Sequence, residues 1–120
     1  KILKKDYRHS KITEFKFSSV PLNYVNNIQR KSKVIIDIHH PKQSGLTMRT
    51  IEVIGSGGKL ATTNYHIKNE DFYHPKRIFI LSRDNPKIPI EFFEDSPPQL
   101  ESSQLKKLSI QGFTEDLLSF

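Results

Sequence analysis

Four stretches of the chain have the hydrophobic pattern of β-strands. Residues 12–17, ITEFKF, alternate apolar and polar side chains, which is typical of a strand near a sheet edge with one exposed face. Residues 34–38 and 77–81 are short, nearly continuous apolar runs, as expected of parallel strands that helices cover on both faces. Residues 59–63, KLATT, supply one more strand between them. The pattern therefore predicts a mostly parallel sheet of about four strands.

Helical patterns occupy the intervals between these strands. Residues 21–32 have the spacing of an amphipathic helix with Pro21 in its first turn, and residues 46–56 have the spacing of a second helix. Asn64 is a suitable N-cap for a short helix that ends before Pro75. Strands that alternate with helices predict right-handed βαβ crossovers, and so an α/β fold of the Rossmann-like, three-layer type.

Length and composition limit the chain to one domain. At 120 residues and 35% hydrophobic content there is room for one core, so residues 1–120 are assigned to a single domain that is helical from about residue 88 to residue 120. The first predicted strand has no βα unit before it, which suggests a domain truncated from something longer. The absence of cysteine excludes disulfides and cysteine-ligated zinc. No apolar run approaches the ~20 residues of a membrane span, and so we expect a soluble protein.

The charge balance favours a negatively charged partner. Nineteen Lys and Arg against thirteen Asp and Glu give a net charge of +6, which suits a phosphate-bearing ligand, an anionic membrane surface or nucleic acid. Much of the excess lies near the N-terminus, where a solvated basic segment is the simplest interpretation. No recognised nucleic-acid motif accompanies the charge, so we do not expect a nucleic-acid partner.

The loop before the second helix is suited to a phosphate group. Ser44, Gly45 and Thr47 precede and open that helix, so unpaired N–H groups and the positive end of the helix dipole face the crevice at the strand ends. Gly45 removes the side chain that would block a close approach. Arg49 can bind phosphate oxygens, and Glu52 can accept hydrogen bonds from sugar hydroxyls. The same two residues also fit an ordinary ion pair on a solvated helix face, and their spacing leaves both interpretations open.

Other candidate chemistry is weaker. His39 and His40 are adjacent and diverge in an extended segment, so no metal site is predicted. The glycines at 55–58 follow a helix rather than a strand, which indicates a helix C-cap instead of a dinucleotide fingerprint, with Gly55 allowing close approach to a neighbouring element. A receiver-like domain would share the strand-terminal Asp37, but it would need a Lys where this chain has SRDNP.

Residues 34–64, with the segments that follow as far as residue 94, resemble the C-terminal half of bacterial glycosyltransferases of the GT-B fold. The similarity is greatest to those of lipopolysaccharide and capsular polysaccharide biosynthesis, relatives of the enzymes with an R-x-x-E-A-x-x-x-G core. The most specific stretch is GLTMRTIE, followed by a glycine and LATTN. The resemblance extends over about residues 12–120, and Val53 stands where the family has a small Ala.

The resemblance implies the C-terminal, donor-binding domain of a two-domain, hexosyltransferase-like enzyme. The residues that it places around a nucleotide-sugar donor are Ser44, Gly45, Leu46, Thr47, Arg49, Glu52, Thr63 and Asn64. Within this set the loop at 45–47 would cradle the diphosphate, Arg49 would stand at the phosphates and Glu52 would take the ribose hydroxyls. No catalytic residue is assigned.

The resemblance also implies where the rest of the reaction takes place. Such enzymes hold the glycan or lipid-linked acceptor, and usually the catalytic base, on an N-terminal domain, so this chain alone is expected to be inactive. They generally need no metal or other cofactor, because basic groups and a helix dipole offset the charge of the leaving diphosphate. The expected location is the cytoplasm, with peripheral contact at the inner face of the plasma membrane. A noncatalytic α/β module that binds a phosphorylated ligand or a partner protein is the alternative.

Overall fold

The strands of the computed structural model, which describes residues 11–119, form a parallel sheet. They are β1 Ile35–Asp37, β2 Leu60–Thr62 and β3 Ile78–Ile80, in the order β1-β2-β3. The first residues of the three strands, Ile35, Leu60 and Ile78, lie at the same level of the register. Between residues 11 and 119 the protein is therefore α/β with three strands, where the sequence pattern predicts about four. The basic residues at positions 1–10 and Phe120 lie outside the described range.

Helices precede, connect and follow the strands. The α-helices are α1 Leu22–Lys31, α2 Met48–Gly55, α3 Ile90–Glu94, α4 Ser102–Lys107 and α5 Ile110–Leu118, and the short 3-10 helices are Ile12–Glu14 and Tyr65–Asn69. The first two α-helices agree with the predicted ones to within two residues at either end. Asn64 is the predicted N-cap, since its side chain accepts a hydrogen bond from the N–H of His66 at 3.1 Å. The predicted C-terminal helical region is divided, and Ser109 is the N-cap of its last helix.

The predicted strand over residues 12–17 is wrong. Ile12–Glu14 is a 3-10 helix, residues 15–17 belong to no strand, and Phe17 is 84% exposed. An alternating pattern shows only that side chains could point to opposite faces, whereas a strand also needs a partner with which to share hydrogen bonds. Within the described residues, the outer edge of β1 consequently has no neighbouring strand.

One face of the sheet holds the hydrophobic core. The buried cluster consists of Val53, Ile54, Leu60, Ile67, Phe72 and Ile78. These residues come from α2, from β2 and β3, and from the connection between those two strands. Full burial of one such side chain stabilises a fold by about 1.5–3 kcal/mol, so this small cluster fixes α2 and the β2–β3 connection on the same side of the sheet.

The other face of the sheet is covered over β2 and β3 but not over β1. Phe79 of β3 packs against Phe92 of α3, with ring centroids 5.6 Å apart. The buried Lys59 donates hydrogen bonds to the carbonyl oxygens of Phe92 and Asp95, where the negative end of the α3 dipole favours a cation. Ile36 of β1, which points to the same face as Phe79, is 58% exposed. The predicted three-layer arrangement is therefore incomplete over β1 in the described part of the chain.

The glycines that follow α2 form its C-cap, as predicted. The N–H of Gly57 donates to the carbonyl oxygen of Ile54 and that of Gly58 to the carbonyl oxygen of Val53, both at 2.9 Å. This pair of bonds defines a Schellman motif. Gly57 has a φ of +78°, which an L-residue with a side chain rarely adopts.

In the described range no helix has the length and apolar character needed to cross a bilayer.

Replacing Gly57 with Ala should lower the free energy of unfolding by about 1 kcal/mol, because the left-handed conformation is strained for Ala. Gly55→Ala is the matched control. The prediction that Gly55 allows a close approach is wrong, since the nearest atom to an added Cβ there is the Cβ of Leu108 at 4.0 Å. The control should therefore keep or raise the stability measured by urea denaturation. Equal losses in the two variants would contradict the assigned cap.

Candidate functional site

Three loops meet at the carboxyl edge of the sheet, as the parallel topology predicts. The loops are residues 38–47 after β1, residues 63–64 after β2 and residues 81–85 after β3. The N–H of Thr63 donates to the carbonyl oxygen of Asp37 at 3.3 Å, and the N–H of Leu81 donates to that of Thr62 at 2.8 Å. These bonds continue the ladder past the strand ends and hold the start of the second and third loops in place. The edge is thus where side chains from three separate segments come together.

Asp37, the last residue of β1, holds the N-terminus of α2 against the sheet. Thr47 is the N-cap of α2, because its Oγ1 accepts a hydrogen bond from the N–H of Thr50 at 3.1 Å. The same hydroxyl donates to Oδ2 of Asp37 at 2.5 Å, and the Thr50 hydroxyl donates to that oxygen at 3.4 Å. A carboxylate is stabilised near the positive end of a helix dipole. Asp37 therefore supplies negative charge at the place where the sequence predicts a phosphate.

Asn64 fastens the loop before α2 to the end of β2. Its side chain is buried, in a residue that is 2% exposed, and its Nδ2 donates to the carbonyl oxygen of Gly45 at 3.1 Å. Leu46 packs partly buried against the core, while Ser44 and Gly45 are exposed. A Cβ added at Gly45 would meet no atom within 4 Å. The fold therefore does not require glycine at this position, and the space beside its backbone is open.

Arg49 and Glu52 pair with each other on the side of α2. The distance from Nη1 of Arg49 to Oε2 of Glu52 is 3.4 Å, and their side chains are 39% and 51% exposed. Glu52 also lines a cavity of about 350 Å³ between α2 and α1, together with Asn26 and Arg30. This is the ordinary ion pair that the sequence leaves open. A solvated pair three residues apart contributes only a few tenths of a kcal/mol, so a ligand could replace it at little cost.

Arg83 follows β3 and reaches the loops that follow the other two strands. Its Nη2 donates to the carbonyl oxygen of His39 and lies 3.3 Å from Oγ1 of Thr63. The Thr63 hydroxyl also lies 3.2 Å from the N–H and 2.8 Å from Nδ1 of His39. Arg83 is not among the site residues predicted from the sequence. The available signal was an arginine shortly after the last parallel strand, at the edge where open α/β sheets bind ligands.

The two adjacent histidines diverge, as predicted. The ring of His39 contacts Thr63, whereas Nδ1 of His40 accepts a local hydrogen bond from the N–H of Lys42 at 3.2 Å. Among residues 11–119 there is no group of three or more His, Asp and Glu side chains placed to share a metal ion.

Comparison of this chain with protein-family models, with curated protein sequences and with solved structures gives no match. The resemblance to glycosyltransferases and the donor-binding roles of the predicted residues therefore stay predictions from the sequence. What the structure adds is the position of each residue. The loop at 44–47, Thr63 and Asn64 lie together at the strand ends, while Arg49 and Glu52 lie together along α2.

Thr47→Val should lower the free energy of unfolding by about 1–2 kcal/mol, because valine removes both the N-cap and the hydroxyl that donates to Asp37. Thr47→Ser keeps the hydroxyl and should stay within about 0.5 kcal/mol of the unmodified chain. Urea denaturation followed by circular dichroism measures both variants. If valine is tolerated as well as serine, the contact between β1 and α2 does not have the importance assigned to it.

Proposed function

We propose that this chain is the donor-binding half of a GT-B glycosyltransferase and binds the nucleotide part of a nucleotide sugar at the carboxyl edge of its sheet. The observation that carries the proposal is the meeting of the loops there. The exposed Gly45 is hydrogen-bonded to Asn64, and Thr63 continues the ladder from Asp37, so residues predicted from separate segments line one edge. Open parallel sheets bind ligands in this position as a general rule.

Each predicted residue has a distinct task in this proposal. The backbone from Gly45 to Thr47 approaches the diphosphate, helped by the open space beside Gly45. Arg49 turns from Glu52 to the phosphates, and Glu52 is then able to accept hydrogen bonds from the ribose hydroxyls. Exchange of a solvated ion pair for contacts with a doubly charged ligand is favourable, since the original pair is weak. Asn64 keeps the loop at its place beside β2.

The proposal places the reaction itself on a larger enzyme. An N-terminal domain would hold the glycan or lipid-linked acceptor and the catalytic base, and transfer of the sugar would serve lipopolysaccharide or capsular polysaccharide synthesis. The leaving diphosphate would be stabilised by basic groups and not by a divalent metal. The site of action is the cytoplasm, at the inner face of the plasma membrane, and this chain alone would be inactive.

A noncatalytic module that binds a phosphorylated ligand or a partner protein is the second candidate. One observation favours it. Glu52 already pairs with Arg49, which leaves it less available to recognise a ribose. In this case the edge of the sheet would bind an anion without recognising a ribose.

The experiment is a two-dimensional NMR titration of the full chain with UDP, GDP, dTDP, CMP and inorganic phosphate. One nucleoside diphosphate should shift the signals of residues 44–47 and 63–64 more strongly than phosphate does. Glu52→Ala should weaken that nucleotide about tenfold, since hydrogen bonds to a charged group are worth about 1.5–3 kcal/mol. Glu91→Ala, an exposed glutamate on α3, is the matched control and should have no effect.

The same titration separates the two candidates. If phosphate produces the same shifts as every nucleotide and Glu52→Ala binds like the unmodified chain, the donor-binding assignment fails and the anion-binding module takes its place.

Gly45→Ala tests the backbone contact. The melting temperature should not change, because an added Cβ meets no atom within 4 Å. Affinity for the nucleotide should fall about fivefold or more, because the methyl group occupies space that the diphosphate needs. Isothermal titration calorimetry and a thermal melt measure the two quantities separately. An unchanged affinity would mean that the ligand does not approach this part of the loop.

A further inference from the structure

The guanidinium of Arg83 has donors that the fold does not use. Its Nη2 donates two hydrogen bonds, one to the carbonyl oxygen of His39 and one to Oγ1 of Thr63. A guanidinium has five N–H donors, and among residues 11–119 neither Nε nor Nη1 of Arg83 has a hydrogen-bond acceptor, nor does the side chain have a carboxylate partner. Arg49, in contrast, is paired with Glu52. Arg83 therefore offers an uncompensated charge and three available donors at the edge of the sheet.

The hydrogen bonds around Thr63 favour one tautomer of His39. The Thr63 hydroxyl accepts from the backbone N–H of His39 at 3.2 Å and from Arg83 at 3.3 Å, which uses both of its acceptor positions. Its own proton is then available to Nδ1 of His39, 2.8 Å away, and we take this arrangement for the proposed site. In that tautomer Nδ1 is the acceptor and the ring proton is on Nε2. Within the described residues, this Nε2–H makes no hydrogen bond.

We infer that Arg83 and His39 form a phosphate-binding site, in which the free edge of the guanidinium and the Nε2–H of the imidazole donate to phosphate oxygens. Arginine binds phosphate by two parallel hydrogen bonds, and here the side chain is already held in place by His39 and Thr63. Holding a side chain before binding reduces the entropy lost on association. The identity of the ligand as a nucleoside diphosphate rests on the proposed function, whereas the anion site rests on these contacts.

The alternative position for the phosphate, at the N-terminus of α2, is less favourable. The carboxylate of Asp37 lies there and accepts hydrogen bonds from Thr47 and Thr50. A second anion at that position would be repelled by the first, with an energy that grows as water is excluded. In the described part of the chain, Arg83 forms no ion pair with a carboxylate. Within the proposed donor site we therefore assign the main contacts with the diphosphate to Arg83 and His39, so that the loop at Gly45 borders the diphosphate and Arg49 contributes less to its binding than Arg83 does.

The test compares Arg83→Gln with Arg49→Gln in the full chain, with inorganic pyrophosphate and with UDP as probes. Arg83→Gln should weaken pyrophosphate binding about tenfold, and Arg49→Gln should change it less than about threefold, since only the first removes the proposed bidentate contact. Arg83→Lys should lie between them because it keeps the charge and loses the fork of donors. Thermal melts should show that every variant remains folded, with only a small loss of stability in Arg83→Gln, because the hydrogen bonds that it removes come from an exposed side chain.

A second measurement follows His39 directly. Long-range proton–nitrogen NMR correlations should show the proton on Nε2 in the free chain, and the Nε2 signal should shift when pyrophosphate is added. A proton on Nδ1, or a ring that does not respond to pyrophosphate, would remove His39 from the site and contradict the inference.

The outcomes distinguish this inference from the proposed function. Loss of pyrophosphate binding in Arg49→Gln but not in Arg83→Gln would overturn the inference and leave the donor-binding proposal in place. If Arg83→Gln abolishes pyrophosphate binding but UDP and the other nucleoside diphosphates bind no more tightly than pyrophosphate, the anion site stands and the donor-binding proposal fails. Absence of pyrophosphate binding to the unmodified chain at millimolar concentration would overturn the inference.

Discussion

The contact between the carboxylate of Asp37 and the hydroxyl of Thr47 joins the end of β1 to the beginning of α2, and the arrangement of the candidate site follows from it. It fixes where the helix starts, and so where the loop that contains Gly45 must pass beside Asn64. It also places a negative charge at the positive end of the helix dipole, which is then compensated internally. The dipole of α2 is therefore less available to a ligand than its sequence suggests, which is the reason that the proposed anion site is assigned to Arg83.

The parts of the fold that are determined by residues close together in sequence were predictable. α1 and α2 have apolar residues at helical spacing, and the glycines after α2 mark its end, so local sequence is sufficient for them. β1 and β3 were predictable because they lie in short, nearly continuous apolar runs, which are typical of strands in a parallel sheet. The strand predicted for residues 12–17 is absent because an alternating pattern does not reveal whether a partner strand exists. Strand pairing depends on contacts between segments that are distant in sequence.

The site was predictable to the extent that topology alone determines it. Parallel strands bring their carboxyl ends to one edge, which is enough to place the Gly45 loop, Thr63 and Asn64 near one another. The roles of individual side chains needed the hydrogen bonds. The spacing of Arg49 and Glu52 allows their ion pair without deciding for it, and nothing in the sequence shows that Arg83 contacts residues far away along the chain.

The position of the site also bears on the stability of the sheet. Leu60, Ala61 and Thr62 of β2 are all fully buried, whereas Ile36 of β1 is more than half exposed, so β1 is the less protected neighbour of a firmly held central strand. Arg83 links the loop after β3 to the carbonyl oxygen of His39 in the loop after β1. An anion bound between Arg83 and His39 would strengthen that link across the whole edge. A ligand that binds only the folded state stabilises that state by mass action. An anion at this position would therefore stabilise the pairing of β1 with the rest of the sheet.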